Sequence, residues 1–142
     1  MTEALAVADL AVHYTMRHGP AVRAVDGVSF AIAPGETLGL VGESGCGKSS
    51  AANAVVGLVP ATSGSVRVDG DEVVGAGRAT LRRIRARAQM VFQDPATSLN
   101  PRMTVGAAVA EPLVVRGVAR GRALRERVAS LLTEVGLRPE HA

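Results

Sequence analysis

The chain has 142 residues, of which 47% are hydrophobic, 20% charged and 2% aromatic, and its net charge is +3. That length suits one ordinary domain burying about 68% of its unfolded surface, and the composition excludes a disordered, fibrous or disulfide-built chain, Cys46 being the only cysteine. No apolar run reaches the roughly 18 residues of a membrane span, and the acidic opening MTEALAVADL does not read as a secretion signal.

Residues 5–14 read as a strand that ends in the polar, turn-like stretch 15–20. Residues 21–32 read as a second strand with a bend at Asp26-Gly27, and Pro34-Gly35 marks a turn. The short apolar run 37–41 predicts a buried strand. Residues 48–58, rich in alanine and valine, predict a helix stopped by Gly57 and Pro60. Residues 65–69 alternate valine with polar side chains and run into the turn pair Asp69-Gly70. A helix over 79–86, a short strand over 89–92 and a polar loop over 93–101 follow. Thr104 is a good N-cap for a further helix, which Pro112 is expected to disturb. Residues 120–135 give the clearest helix, with Leu124, Val128, Leu131, Leu132 and Val135 on one stripe and Gly136 closing it.

Between the third strand and the first helix lies Gly42-Glu43-Ser44-Gly45-Cys46-Gly47-Lys48-Ser49, which fits G-x-x-x-x-G-K-[ST] without a gap. Glycines 42, 45 and 47 let the backbone curl so that successive N–H groups point at phosphate oxygens. The helix after Gly47 adds the positive end of its dipole. Lys48 is expected to reach the outer phosphates, and the Ser49 hydroxyl to ligate Mg²⁺. Lys48 is also the only lysine; every other basic side chain apart from histidine is arginine. A slim ammonium suits a tight loop that arginine's planar fork does not. Cys46 has no recognisable base beside it in sequence and is not read as a catalytic thiol.

GETLGLVGESGCGKSS, VFQDPATSLNPRMTVGAAVAEPL and LLTEVGL together resemble the ATP-binding subunits of ABC transporters, most closely the oligopeptide/dipeptide and nickel importer branch. The resemblance runs from about residue 10 to the last. It implies that residues 42–50 are the Walker A loop, with Ser50 where the family usually has threonine. It implies that Gln93 is the Q-loop glutamine, which touches Mg²⁺ and the attacking water while its loop senses the membrane subunit. It implies that Tyr14 is the aromatic that stacks on adenine; no other tyrosine and no tryptophan are present. The expected catalytic residues are thus Lys48 and Gln93. The expected metal contacts are Ser49 and Gln93, and the nucleotide contacts are Tyr14, Gly42, Glu43, Ser44, Gly45, Cys46, Gly47, Lys48, Ser49 and Ser50.

Other polar clusters carry no such reading. In RRIRAR, residues 82–87, Ile84 shares a helical face with Leu81 and Ala88, which leaves the arginines on the solvated side. No aromatic or recognition motif accompanies them, so no nucleic-acid partner is expected. His13, His18 and His141 have no metal-ligand spacing. The one Asp-Glu pair, Asp71-Glu72, follows a turn and not an apolar strand, so it is not the second carboxylate that a P-loop ATPase places near Mg²⁺. The Leu-Ser-Gly-Gly-Gln signature and switch histidine of the family are absent as well.

The expected fold is therefore α/β: the N-terminal half of an ABC-type P-loop domain, a mixed sheet with a P-loop helix, N-terminal antiparallel strands and the start of a helical subdomain. Residues 1–101 are expected to form the ATP-binding core, and 102–142 the helical start. The implied function is ATP binding, with hydrolysis by family, in an importer of peptides or similar small solutes. This chain alone is expected to bind MgATP without hydrolysing it. Implied partners are a second ATP-binding subunit, membrane permease subunits and an external solute-binding protein, and the implied location of this chain is peripheral, at the cytoplasmic face of the cell membrane. A stand-alone regulatory nucleotide-binding module and a nucleic-acid-associated ABC-type protein are the alternatives. Half of such a sheet leaves edges unpaired, so poor solubility is expected of the isolated chain.

Overall fold

The computed structural model describes residues 3–16, 19–94 and 99–142. The chain divides into two compact units, Met1–Met90 and Val91–Ala142. His18 and part of the 93–101 loop fall outside the described residues.

In the first unit β1 (Leu5–Tyr14), β2 (Val22–Ile32), β3 (Ser63–Val68) and β4 (Asp71–Glu72) form one antiparallel sheet in the order β2-β1-β3-β4. β1 is central and pairs on both edges, Val7 lying opposite Phe30 on β2 and Val66 on β3. Strict alternation would send Val7 and Leu10 to opposite faces. An irregularity at Asp9, whose φ is 47°, inserts one residue, and Val7, Leu10 and Val12 are all buried. Gly64 of β3 crosses this point so closely that a Cβ on it would overlap the Asp9 carbonyl oxygen. Helices α1 (Lys48–Val55) and α2 (Arg78–Arg87) supply Ala51, Ala54 and Ile84 to the same core, beside Val25, Val66, Val68 and Val73. Ile84 is fully buried, with Leu81 and Ala88 packed against the core and the arginines of the cluster exposed, as the helical periodicity predicts.

Two strand expectations are corrected. Neither 37–41 nor 89–92 forms a strand. A strand needs a hydrogen-bonded neighbour, and no strand among the described residues pairs with either run. Leu38, Leu40 and Phe92 are consequently exposed, and Val41 and Val91 almost wholly so. The sheet expected to be mixed is thus antiparallel throughout its described strands. The first helix also stops earlier than expected, at Val55, because Gly57 takes a left-handed φ of 67° and Leu58 N–H turns back to the Asn53 carbonyl.

The second unit holds α3 (Val105–Val115), α4 (Gly121–Glu134) and a 3₁₀ turn at Pro139–His141. Thr104 caps α3 as expected, its hydroxyl accepting from Ala107 N–H at 3.1 Å. The helix continues through Pro112, whose disturbance is limited to one lost N–H: the remaining ladder stays in place, and Arg116 N–H still reaches the Pro112 carbonyl. Val128 and Leu132 form the buried stripe of α4. Val135 is exposed instead, because at φ −103° it has already left the helix. Gly136 follows at φ 79°, and Leu137 N–H bonds the Leu132 carbonyl, closing the end in a Schellman pattern.

Candidate functional site

The loop between residues 42 and 48 leads directly into α1, for which Gly47 is the N-cap residue. Gly45 and Gly47 have φ of 84° and 96°, values that side chains rarely adopt. Gly47 is doubly constrained, since a Cβ there would overlap the Ala24 carbonyl oxygen of β2. A Cβ on Gly42 would lie 2.7 Å from Cys46 Sγ. The glycine spacing is therefore a packing requirement as well as a conformational one.

Within this curl Lys48 turns back. Its Nζ donates to the Gly42 carbonyl at 2.8 Å and the Glu43 carbonyl at 2.6 Å, and lies 3.4 Å from Cys46 Sγ. The first bond of α1 is from Ala51 N–H to the Gly47 carbonyl at 2.9 Å. The N–H groups of Lys48, Ser49 and Ser50 precede it, where a helix leaves donors for a ligand. No acidic residue stands in this first turn. Ammonium, helix end and hydroxyls thus form a short electropositive stretch suited to an anion with several oxygens.

Tyr14 ends β1, and its hydroxyl donates to Ser50 Oγ at 3.2 Å. The fold brings Tyr14 together with the loop. Ser44 and Ser49 lie in the exposed part of the loop and at the start of α1 respectively. Gln93 is exposed and belongs to the second unit. Sequence reading found each of these residues but not the Tyr14–Ser50 contact, because nothing local links positions 36 apart.

The acidic pair outside the loop is held by its neighbours. Asp71 accepts from Arg83 at 3.0 Å and Arg87 at 3.4 Å; the Arg83 hydrogen bond, against some desolvation, holds its carboxyl below the usual range. Glu72 is raised by burial, but hydrogen bonds from Ser65, Val66 N–H and Val74 N–H, and from Arg67, outweigh that and bring it below the usual value. His13 Nε2 lies 3.5 Å from Asp26 Oδ1. Among the described residues no group of His, Cys, Asp or Glu is arranged to hold a metal, and no helix is long and apolar enough to cross a membrane.

Comparison with known proteins agrees with this geometry. The chain is 44% identical to the di/tripeptide transport ATP-binding protein DppF of Pseudomonas aeruginosa, covering 99% of the chain and 45% of that protein. It is 46% identical to the oligopeptide transport ATP-binding protein OppF of Escherichia coli, covering 95% and 43%. It is 45% identical to the glutathione import ATP-binding protein GsiA of Pectobacterium atrosepticum, covering 97% and 23%. The chain spans less than half the length of these relatives. A solved dimeric ATP-binding cassette in a post-hydrolysis state, bound to ADP and Pi, superposes with a TM-score of 0.79 at 27% identity, over 97% of this chain and 60% of that one. The α/β nucleotide-binding fold expected from the sequence is thereby borne out. The family model described as ABC transporter matches residues 25–142, and this chain belongs to the ABC transporter family.

Proposed function

We propose that the chain is the ATP-binding part of an importer for peptides or similar small solutes, and that it binds MgATP without hydrolysing it alone. The observation that carries this reading is the loop itself: Lys48 folded onto the Gly42 and Glu43 carbonyls at the start of an uncapped helix. Those carbonyls are weak partners for an ammonium, and a triphosphate is a stronger one. The peptide and glutathione importers among the relatives support the substrate class.

In this reading residues 1–101 supply the nucleotide core and 102–142 the start of the helical subdomain. Gly42, Glu43, Ser44, Gly45, Cys46 and Gly47 present backbone to the phosphates. Lys48 neutralises the outer ones, and Ser50 closes the cradle. The residues fit Mg²⁺ only as a guest of the nucleotide: Ser49 offers one hydroxyl, and no carboxylate cluster stands by among the described residues. Mg²⁺ would neutralise phosphate charge there. Hydrolysis needs a water-orienting and charge-stabilising set that this sequence does not contain, so it requires groups from a longer chain or a partner. The dimeric neighbour supports a second ATP-binding subunit as that partner. Permease subunits and an external solute-binding protein complete the assembly, with this chain peripheral at the cytoplasmic face of the membrane.

Calorimetric titration of the folded chain with MgATP tests this. Saturable binding that Lys48→Ala abolishes is the expected result, with no phosphate release above background. A folded wild-type chain that gives no binding heat overturns the proposal.

A further inference from the structure

The backbone at the end of β1 is pinned. His13 N–H donates to Thr62 Oγ1 at 2.8 Å, and Tyr14 pairs with Val22 across the sheet. What remains to be fixed at Tyr14 is the direction of its ring. The side chain is 39% exposed, so packing alone restrains it weakly. Its hydroxyl donates to Ser50 Oγ at 3.2 Å, in the first turn of the helix that the phosphate loop opens. A hydrogen bond at the tip of this side chain fixes χ1, and with it where the ring lies, while χ2, whose axis passes through the hydroxyl oxygen, stays free to turn.

We propose that Ser50 is a positioning residue for base recognition. Its hydroxyl holds the Tyr14 ring against the start of α1, so that the ring meets a nucleotide base already ordered. The inference rests on the nucleotide reading above and deepens it: the binding role of Ser50 runs through Tyr14 and not only through the phosphates. Ordering the ring before binding removes a cost that binding would otherwise bear. The same hydroxyl on threonine serves equally, whereas alanine releases the ring.

The test compares MgATP with inorganic triphosphate and Mg²⁺, a probe with the phosphates but no base. Tyr14→Phe is expected to weaken MgATP binding roughly 3- to 10-fold and to leave triphosphate binding unchanged, and Ser50→Ala to weaken MgATP binding by that factor more than it weakens triphosphate binding. The double variant is expected to be no weaker than Ser50→Ala alone, because Tyr14→Phe removes an interaction that Ser50→Ala has already removed. Ser50→Thr is expected to restore wild-type affinity. Equal loss toward triphosphate, or single effects that multiply in the double variant, overturns the proposal. Tyr14 is the sole tyrosine and there is no tryptophan, so its emission reports the ring directly in the ligand-free chain. Its anisotropy is expected to fall in Ser50→Ala and recover in Ser50→Thr; no fall overturns the proposal. If the wild-type chain binds neither ligand, the nucleotide reading fails, and the anisotropy still decides whether Ser50 holds the ring.

Discussion

Lys48 Nζ lies 2.6 Å from the Glu43 carbonyl oxygen and 2.8 Å from that of Gly42, so the only lysine of the chain is folded onto its own loop. The loop is held closed by the group that a phosphate would recruit. Exposed hydrogen bonds of this kind contribute little to stability, about 1 kcal/mol or less. Lys48→Ala should therefore leave the urea midpoint of the ligand-free chain nearly unchanged while removing nucleotide binding. A large drop in the midpoint would instead make Lys48 a structural residue.

Gly47 behaves oppositely. It combines a left-handed φ of 96° with a backbone neighbour, Ala24, that no side-chain motion can clear. Gly47→Ala should cost about 2 kcal/mol or more, since the strain of the conformation and the displacement of β2 add. Urea denaturation measures this, and a change under 1 kcal/mol would mean that the loop can re-form without the contact.

Ile84 is the one fully buried side chain of α2. Its truncation to alanine opens a cavity against the sheet, and Ile84→Ala should destabilise the first unit by about 2–5 kcal/mol. Chemical denaturation followed by far-ultraviolet circular dichroism gives the value. An effect below 1 kcal/mol would show that α2 contributes little to the core.

Acid should loosen β4. Asp71 and Glu72 both have folded-state carboxyls lowered from their ordinary values of 3.8 and 4.5. A lowered folded value stabilises above the unfolded value and loses that contribution as pH falls through the folded one. Stability should therefore be level above about pH 5 and decline below about pH 4. Glu72→Gln should flatten part of that decline, read as urea midpoints against pH. An unchanged slope would deny Glu72 its part.

What the sequence makes legible here is what contiguous residues decide. The glycine-rich loop curls through its own residues, Gly45 and Gly47 taking positive φ and Lys48 folding back onto the Gly42 carbonyl. The caps at Thr104 and Gly136 are local too. Strand formation is not local. The runs 37–41 and 89–92 have the right composition, but an apolar run becomes a strand only against a neighbour, and their pairing is decided elsewhere. The extra residue at Asp9 is hidden for a related reason: it is set by the register with β2 and β3 and not by the composition of β1. The Tyr14–Ser50 contact joins two elements through side-chain ends, which no periodicity encodes.

The isolation of Lys48 among arginines has a practical consequence. A protease that cleaves only after lysine meets a single susceptible bond in 142 residues, Lys48–Ser49. That bond lies in the first turn of α1, and a protease must unwind it to thread it through its cleft. The rate at which two fragments appear is thus a clock for local opening of the loop, undisturbed by cleavage anywhere else. Saturating MgATP should slow that clock, and Gly47→Ala should speed it.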